Sequence, residues 1–365
     1  MGARSFQLTA AQTQALAHVT EWAKKRKATA QKAIAEVLEM SDVSYAVYEE
    51  ATAKIKSHAR VGLHFHPDRP LPDRRSVAEH LLEQGVYKSQ FETSISSGSL
   101  SAYPGGDRDR WERQLFGGAY HTEGVTMGER PKYGALDLML HPDGPAPRFG
   151  CCYFLLYPQV ASRCTFTYLD SHLEPQERGT YEEFDDILAA LLTEVFHRND
   201  ALGANNLTPR KLFAHLLTNL EKPFMDPAKR IPSRNLNHYI EAQIHGDLSL
   251  QTDVEILVAD PSFRGTRVGN LLELLCGKYD IELYWHMGFV LDVHAVPTDF
   301  RGPTMPSLAQ RIGKGGVVNA RLLGEAAHDL MQTPDAWRDR GTYSQVLQEI
   351  KLLWHVLVRY GRPAS

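Results

Sequence analysis

Residues 239–245, YIEAQIH, alternate without a break. As a strand, the run sends Ile240, Ala242 and Ile244 to one side and Tyr239, Glu241, Gln243 and His245 to the other. One face is core; the other is a row of chemistry. A carboxylate on a rigid strand, beside an amide and an aromatic ring, can hold a hydroxylated ligand and stabilise positive charge that develops on it. The same alternation also fits an edge strand with a wet polar face, since any half-buried antiparallel strand shows it.

The remaining pattern is that of an α+β chain. Residues 9–56 carry Leu16, Val19, Ala23, Ala33, Ile34, Val37 and Leu38 at helical spacing, and residues 60–66 then turn to strand alternation closed by Pro67. SVAEHLLEQ, 76–84, has a capping serine with Glu79 three residues on and stops at Gly85. From 86 to 168, short apolar or alternating runs broken by PGGDR, FGG, RPKYG and PDGPAPRFG predict a mainly antiparallel sheet. FDDILAALLTEVFHR and RKLFAHLLTNL make 172–237 a helical insertion between core strands. Beyond 239–245 the pattern predicts a strand at 253–259, a helix at 269–278, strand alternation over 281–293 and helices from 307 to 360. The expected organisation is therefore a helical region at 1–57, a core at 58–306 containing the insertion, and a helical region at 307–365.

Composition narrows the function classes. With 43% hydrophobic and 23% charged residues, the 365-residue chain is of ordinary globular type, and a net charge of −4 with dispersed basic residues leaves no footprint for nucleic acid. No apolar stretch is long enough to span a bilayer, and the N-terminus lacks a secretory apolar region. No membrane partner is expected. Cys151, Cys152, Cys164 and Cys276 include no CxxC spacing, which fits a reducing compartment.

Four segments can carry chemistry. In RVGLHFHPDR, Arg60, His64 and His66 share a strand face, so two imidazoles and a guanidinium are expected to converge. As H-x-H-x-D, HFHPD fits a zinc or manganese hydrolase with further ligands such as His245 or His286; as ligand-binding groups, the same residues suit hydroxyls and phosphates. The stretch YKSQFETSISSGS places Gln90 and Glu92 on one strand face and offers Thr93, Ser94, Ser96 and Ser97 as short hydrogen-bonding groups. RPKYG and PRFG set Tyr133 with Gly134, and Phe149 with Gly150, after Arg130 and Arg148, an arrangement that can stack a flat heterocycle. TFTYLDSH brings Asp170 to a strand end, where it can act as a base or cap a helix.

Taken in order, the strand with HFH, the helix leading to VYKSQFETS, the YGAL and FG strand pair, and YIEAQIHG followed by DVEILVADPSF resemble an ADP-ribosyltransferase, with its split antiparallel β core. The likeness covers roughly residues 58–300 and is nearest to the CteC-like bacterial effectors, toxins that transfer ADP-ribose from NAD to a threonine of ubiquitin and so block ubiquitination. The resemblance implies that Glu241 is the catalytic glutamate, holding the 2′-hydroxyl of the nicotinamide ribose. It implies an assisting aspartate, for which Asp170 is the candidate and Asp107 and Asp68 are competitors. It further implies that His64 and His66 contact NAD, that Thr93 and Ser94 stand where related enzymes place a Ser-Thr-Ser brace, and that Tyr133 stacks on nicotinamide. Gln90, Arg148, Phe149, Gly150 and Gln243 complete the expected NAD-binding set, with no metal. Gln243 departs from the E-x-E of arginine-modifying relatives, which disfavours an arginine acceptor. Ubiquitin recognition would fall to a separate targeting region, with the 172–237 insertion as the candidate. The implied location is a bacterial cytoplasm, with export into a host cytosol by a specialised machine.

Overall fold

The alternating run becomes a strand over Ile240–Ile244 inside an eight-stranded sheet of the computed structural model, which describes residues 7–93 and 102–364. In chain order the strands are β1 (Arg60–Phe65), β2 (Lys132–Asp137), β3 (Cys152–Leu156), β4 (Cys164–Tyr168), β5 (Arg178–Thr180), β6 (Ile240–Ile244), β7 (Val254–Ala259) and β8 (Glu282–Trp285). Their order across the sheet is β8-β7-β3-β1-β2-β6-β4-β5. Every neighbouring pair is antiparallel except β7 and β8. That parallel pair needs a crossover, and the helix Arg267–Tyr279 supplies it. The architecture is α+β with a large, mainly antiparallel sheet.

Period-two alternation sorts the two faces. Leu63 and Phe65 of β1, Phe154 of β3, Phe166 of β4 and Ile240, Ala242 and Ile244 of β6 all enter one apolar core. The helix Asp185–Arg198 covers that core with Ile187, Leu191 and Val195, and Pro209–Asn219 adds Leu212 and Leu216. The long N-terminal helix Ala10–Met40 begins at a Thr9–Gln12 capping box. It lies along Asp185–Arg198, where Arg26 pairs with Asp186 and Lys27 with Glu183, both at 2.8 Å. The C-terminal helix Tyr343–Tyr360 buries Trp354, whose indole donates to the Pro147 carbonyl at 2.8 Å. Among the described residues no helix is long and apolar enough to cross a membrane.

Three expectations are corrected. The stretch 86–168 is only partly sheet: Gln90–Thr93 is a single helical turn, so Gln90 and Glu92 do not share a strand face, and Asp107–Leu115 is a helix. That helix buries Asp109, Glu112 and Leu115 on one side, so its inward face is carboxylate and apolar periodicity is silent there. Arg60 does not converge with the two histidines, because Glu255 holds its guanidinium through bonds of 2.6 and 2.9 Å. The 172–237 region also contributes β5, the edge strand paired with β4, and so is not purely helical.

Candidate active site

Four strands place one row of side chains side by side: Gly62, Ala135, Glu241 and Thr167 are consecutive register partners across β1, β2, β6 and β4. Two of the four are nearly without side chain. The space they leave opens into a cavity of about 350 Å³ whose wall includes Gly62, Ala135, Glu241, Asp170, Tyr133, Phe149, His64 and His66. Its size suits a small-molecule ligand.

Glu241 is 5% exposed and held by a directed chain of hydrogen bonds. The Gln243 amide donates to Glu241 Oε1 at 2.9 Å and to Thr167 Oγ1 at 3.2 Å. Thr165 Oγ1 donates to Gln243 Oε1 at 2.8 Å, which leaves that hydroxyl oxygen to accept from His245 Nε2 at 3.1 Å. His245 Nδ1 then accepts from the Tyr120 hydroxyl. Each donor has one acceptor that completes the set, so the amide is oriented and the carboxylate with it. The predicted polar face of β6 is thus real, but it is buried rather than wet.

A second carboxylate stands close to the first. Asp170 accepts from the Tyr239 hydroxyl at 2.7 Å and pairs with His172 Nδ1 at 2.8 Å. Burial alone would raise its pKa, but Tyr239 and His172 outweigh burial and the net direction is down. Glu241 goes the other way: burial, then the negative charge of Asp170, push it up to about 8 against the opposing pull of Ser171, Gln243 and Arg108. Two neighbouring carboxyls whose surroundings drive them in opposite directions are an arrangement that can serve as an acid–base pair.

Aromatic and cationic groups frame these acids. The Tyr133 hydroxyl donates to Glu112 Oε1 at 2.6 Å, and Arg130 bridges Glu112 and Asp109 behind it. Arg108 lies 4.4 Å over the Tyr133 ring and 4.8 Å over Trp111, so one face of that tyrosine is already stacked. Phe149 meets Tyr239 edge-on at 5.4 Å.

The other predicted residues divide. His64 and His66 line the cavity, yet His64 donates from Nδ1 to Gly150 O at 3.1 Å and accepts at Nε2 from the Ala146 amide at 3.2 Å. Both of its nitrogens serve the backbone. Burial lowers His64 and His66 to a pKa of about 3, leaving neutral imidazoles. Gln90 and Thr93 line the cavity; Ser94, Ser96 and Ser97 fall outside the described residues. Gln243 and Gly150 stand behind the wall. A Cβ at Gly150 would come within 2.4 Å of the Phe65 backbone, so close packing explains that glycine. Arg148 flanks the wall over the Phe149 ring at 5.0 Å. Asp107 is an exposed partner of Arg110, and Asp68 packs against Gly324 in the helix Ala320–Gln332; neither lines the cavity. The residues of the metal alternative are not grouped as a ligand set. His245 is engaged as described, His286 bonds the Cys151 carbonyl and the Gly288 amide, and among the described residues no three His, Cys, Asp or Glu side chains are placed to hold an ion.

Sequence reasoning missed Arg108, Ser171, Thr165 and Thr167. Arg108 carried a weak signal, a tryptophan three residues on in a potential helix. The threonines alternate in TFTY, but only the pairing of β4 with β6 brings them to Gln243.

No curated protein matches the chain. A family model described as "Protein of unknown function (DUF3626)" matches residues 60–360, a span that takes in the whole sheet, the cavity and the C-terminal helix. The chain belongs to the DUF3626 family.

Proposed function

We propose that the chain is an NAD-dependent mono-ADP-ribosyltransferase with an ADP-ribosyltransferase-like core, and that its acceptor is a threonine hydroxyl of ubiquitin. The observation that carries this is Glu241: a carboxylate fixed by Gln243 on the wall of a cavity, with an ionised Asp170 beside it. In the reaction the bond between ribose C1′ and the pyridinium nitrogen breaks, nicotinamide leaves with the electron pair, and the threonine oxygen bonds to C1′. Positive charge on the ribose favours the ionised form of Glu241, so docking of the cationic nucleotide works against the burial that raises its pKa. Asp170, kept ionised by Tyr239 and His172, is the group suited to take the threonine proton.

Several features support the fit to NAD. The cavity floor is made of Gly62 and Ala135, Phe149 offers an aromatic wall, and Arg108 supplies a cation near the acids. Acceptor recognition is assigned to the 172–237 region, whose surface carries the exposed apolar side chains Leu173, Met225 and Ile231. The test is mass spectrometry of ubiquitin incubated with NAD and the full chain. One ADP-ribosyl group on a threonine is expected, with nicotinamide released in equal amount. Intact ubiquitin and unconsumed NAD would reject the proposal, whereas NAD consumed with ubiquitin unmodified would reject only the acceptor.

A further inference from the structure

The cavity has a cationic flank that the acid pair does not use. Arg69 lines the cavity, and Arg148 sits over Phe149, one of its walls. The C-terminal helix Tyr343–Tyr360 brings Lys351 and His355 to this flank, one turn apart on the same helical face. Trp354 fastens the helix there: its indole bonds Pro147 O, one residue before Arg148, and its edge meets His66 at 5.4 Å. Lys351 lies close enough to Arg148, Arg69 and Arg301 to feel their charge, which Asp170 opposes.

No direct ion pair neutralises this crowd of like charges. Among the described residues Arg69, Arg148, Arg301 and Lys351 make no ion pair. The Nε atoms of Arg148 and Arg301 are buried without a hydrogen-bond partner, and His355 beside Arg148 is only 1% exposed. Unpaired buried donors and repelling cations both oppose folding. An anion with several oxygens would satisfy both. A single carboxylate neutralises one charge; phosphoryl groups carry more and match guanidinium geometry.

We propose that Arg69, Arg148, Arg301 and Lys351, with the imidazoles of His66 and His355, form a binding site for a phosphate-bearing anion that the C-terminal helix completes. The site does not depend on the NAD reading, because the phosphates of a dinucleotide and free pyrophosphate share the same chemistry. Calorimetric titration of the full chain with inorganic pyrophosphate, ADP-ribose and nicotinamide riboside separates the sources. Pyrophosphate and ADP-ribose are expected to bind, and nicotinamide riboside, which lacks phosphate, to bind at least about tenfold more weakly. Lys351→Met should weaken pyrophosphate about tenfold or more, and the surface control Lys24→Met should not. If Lys351→Met does not fold, the wild-type affinity must fall as salt screens the site. Pyrophosphate bound without ADP-ribose keeps the anion site and counts against NAD. No pyrophosphate binding, or binding indifferent to both Lys351→Met and salt, overturns the proposal.

Discussion

The two faces of β6 are equally deep and are held in opposite ways. Ile240, Ala242 and Ile244 are fully buried, and so are Gln243 and His245 on the other side. The apolar face needs only volume, which neighbouring side chains supply without direction. The polar face needs every donor aimed, from Tyr120 through His245, Thr165 and Gln243 to Glu241. A buried polar row contributes less to stability than well-packed apolar residues of the same volume. The contrast teaches that one face is held by volume while the other is held by direction.

Substitutions can break that contrast in order of size. Ile240→Ala should cost about 2–5 kcal/mol of stability, read as a lower urea midpoint, with nicotinamide release per folded molecule unchanged. Thr165→Val keeps shape but strands Gln243 Oε1 and His245 Nε2, so a loss of about 1–3 kcal/mol is expected. Unlike the core change, it should also slow nicotinamide release about tenfold, because Gln243 loses its anchor. An equal rate in Thr165→Val would erase the functional difference between the faces.

Titration sharpens the comparison further. His64, His66 and His245 have folded pKa values near 3 against an ordinary 6.5, so the unfolded chain binds more protons between those limits. Their stabilisation is present above 6.5 and is lost as pH falls through 3. Glu241 has the opposite sign: raised to about 8 from 4.5, it makes the folded chain bind the extra proton, and stability falls as pH rises through 8. Asp68 and Asp137, each raised to about 7, add to that fall. Urea midpoints should therefore rise from pH 3 to 4.5 and decline from 6.5 to 8. Glu241→Gln should remove about 1–2 kcal/mol of the alkaline decline and leave the acid limb alone. His172→Ala should have the smallest effect, moving the acid limb of transfer to higher pH by a fraction of a unit through Asp170, with melting unchanged.

Local pattern made the strand faces, the α+β class and the capped helices readable, because each depends on a period or a cap within a few residues. Glu241 and Asp170 were also readable as residue types on strand ends and faces. What lay hidden depends on pairing. The polar row is closed in by Thr165 and Thr167 of the paired strand β4 and by Phe116 and Tyr120 packed on His245, and no local run reports that. The helix Asp107–Leu115 was obscured because its buried face is acidic and is compensated by Arg130, distant in sequence. Lys351 belongs to the C-terminal region, yet Trp354 folds it back against the turn that carries Arg148.

The most direct measurement compares wild type and Glu241→Gln for transfer of labelled ADP-ribose from NAD to ubiquitin, with melting recorded for both. The amide keeps the acceptor oxygen for Gln243 and removes the charge. Transfer should fall by about two orders of magnitude or more, with a melting midpoint near pH 6 that is not lowered. Wild-type transfer in a folded Glu241→Gln chain would contradict the catalytic role of that carboxylate.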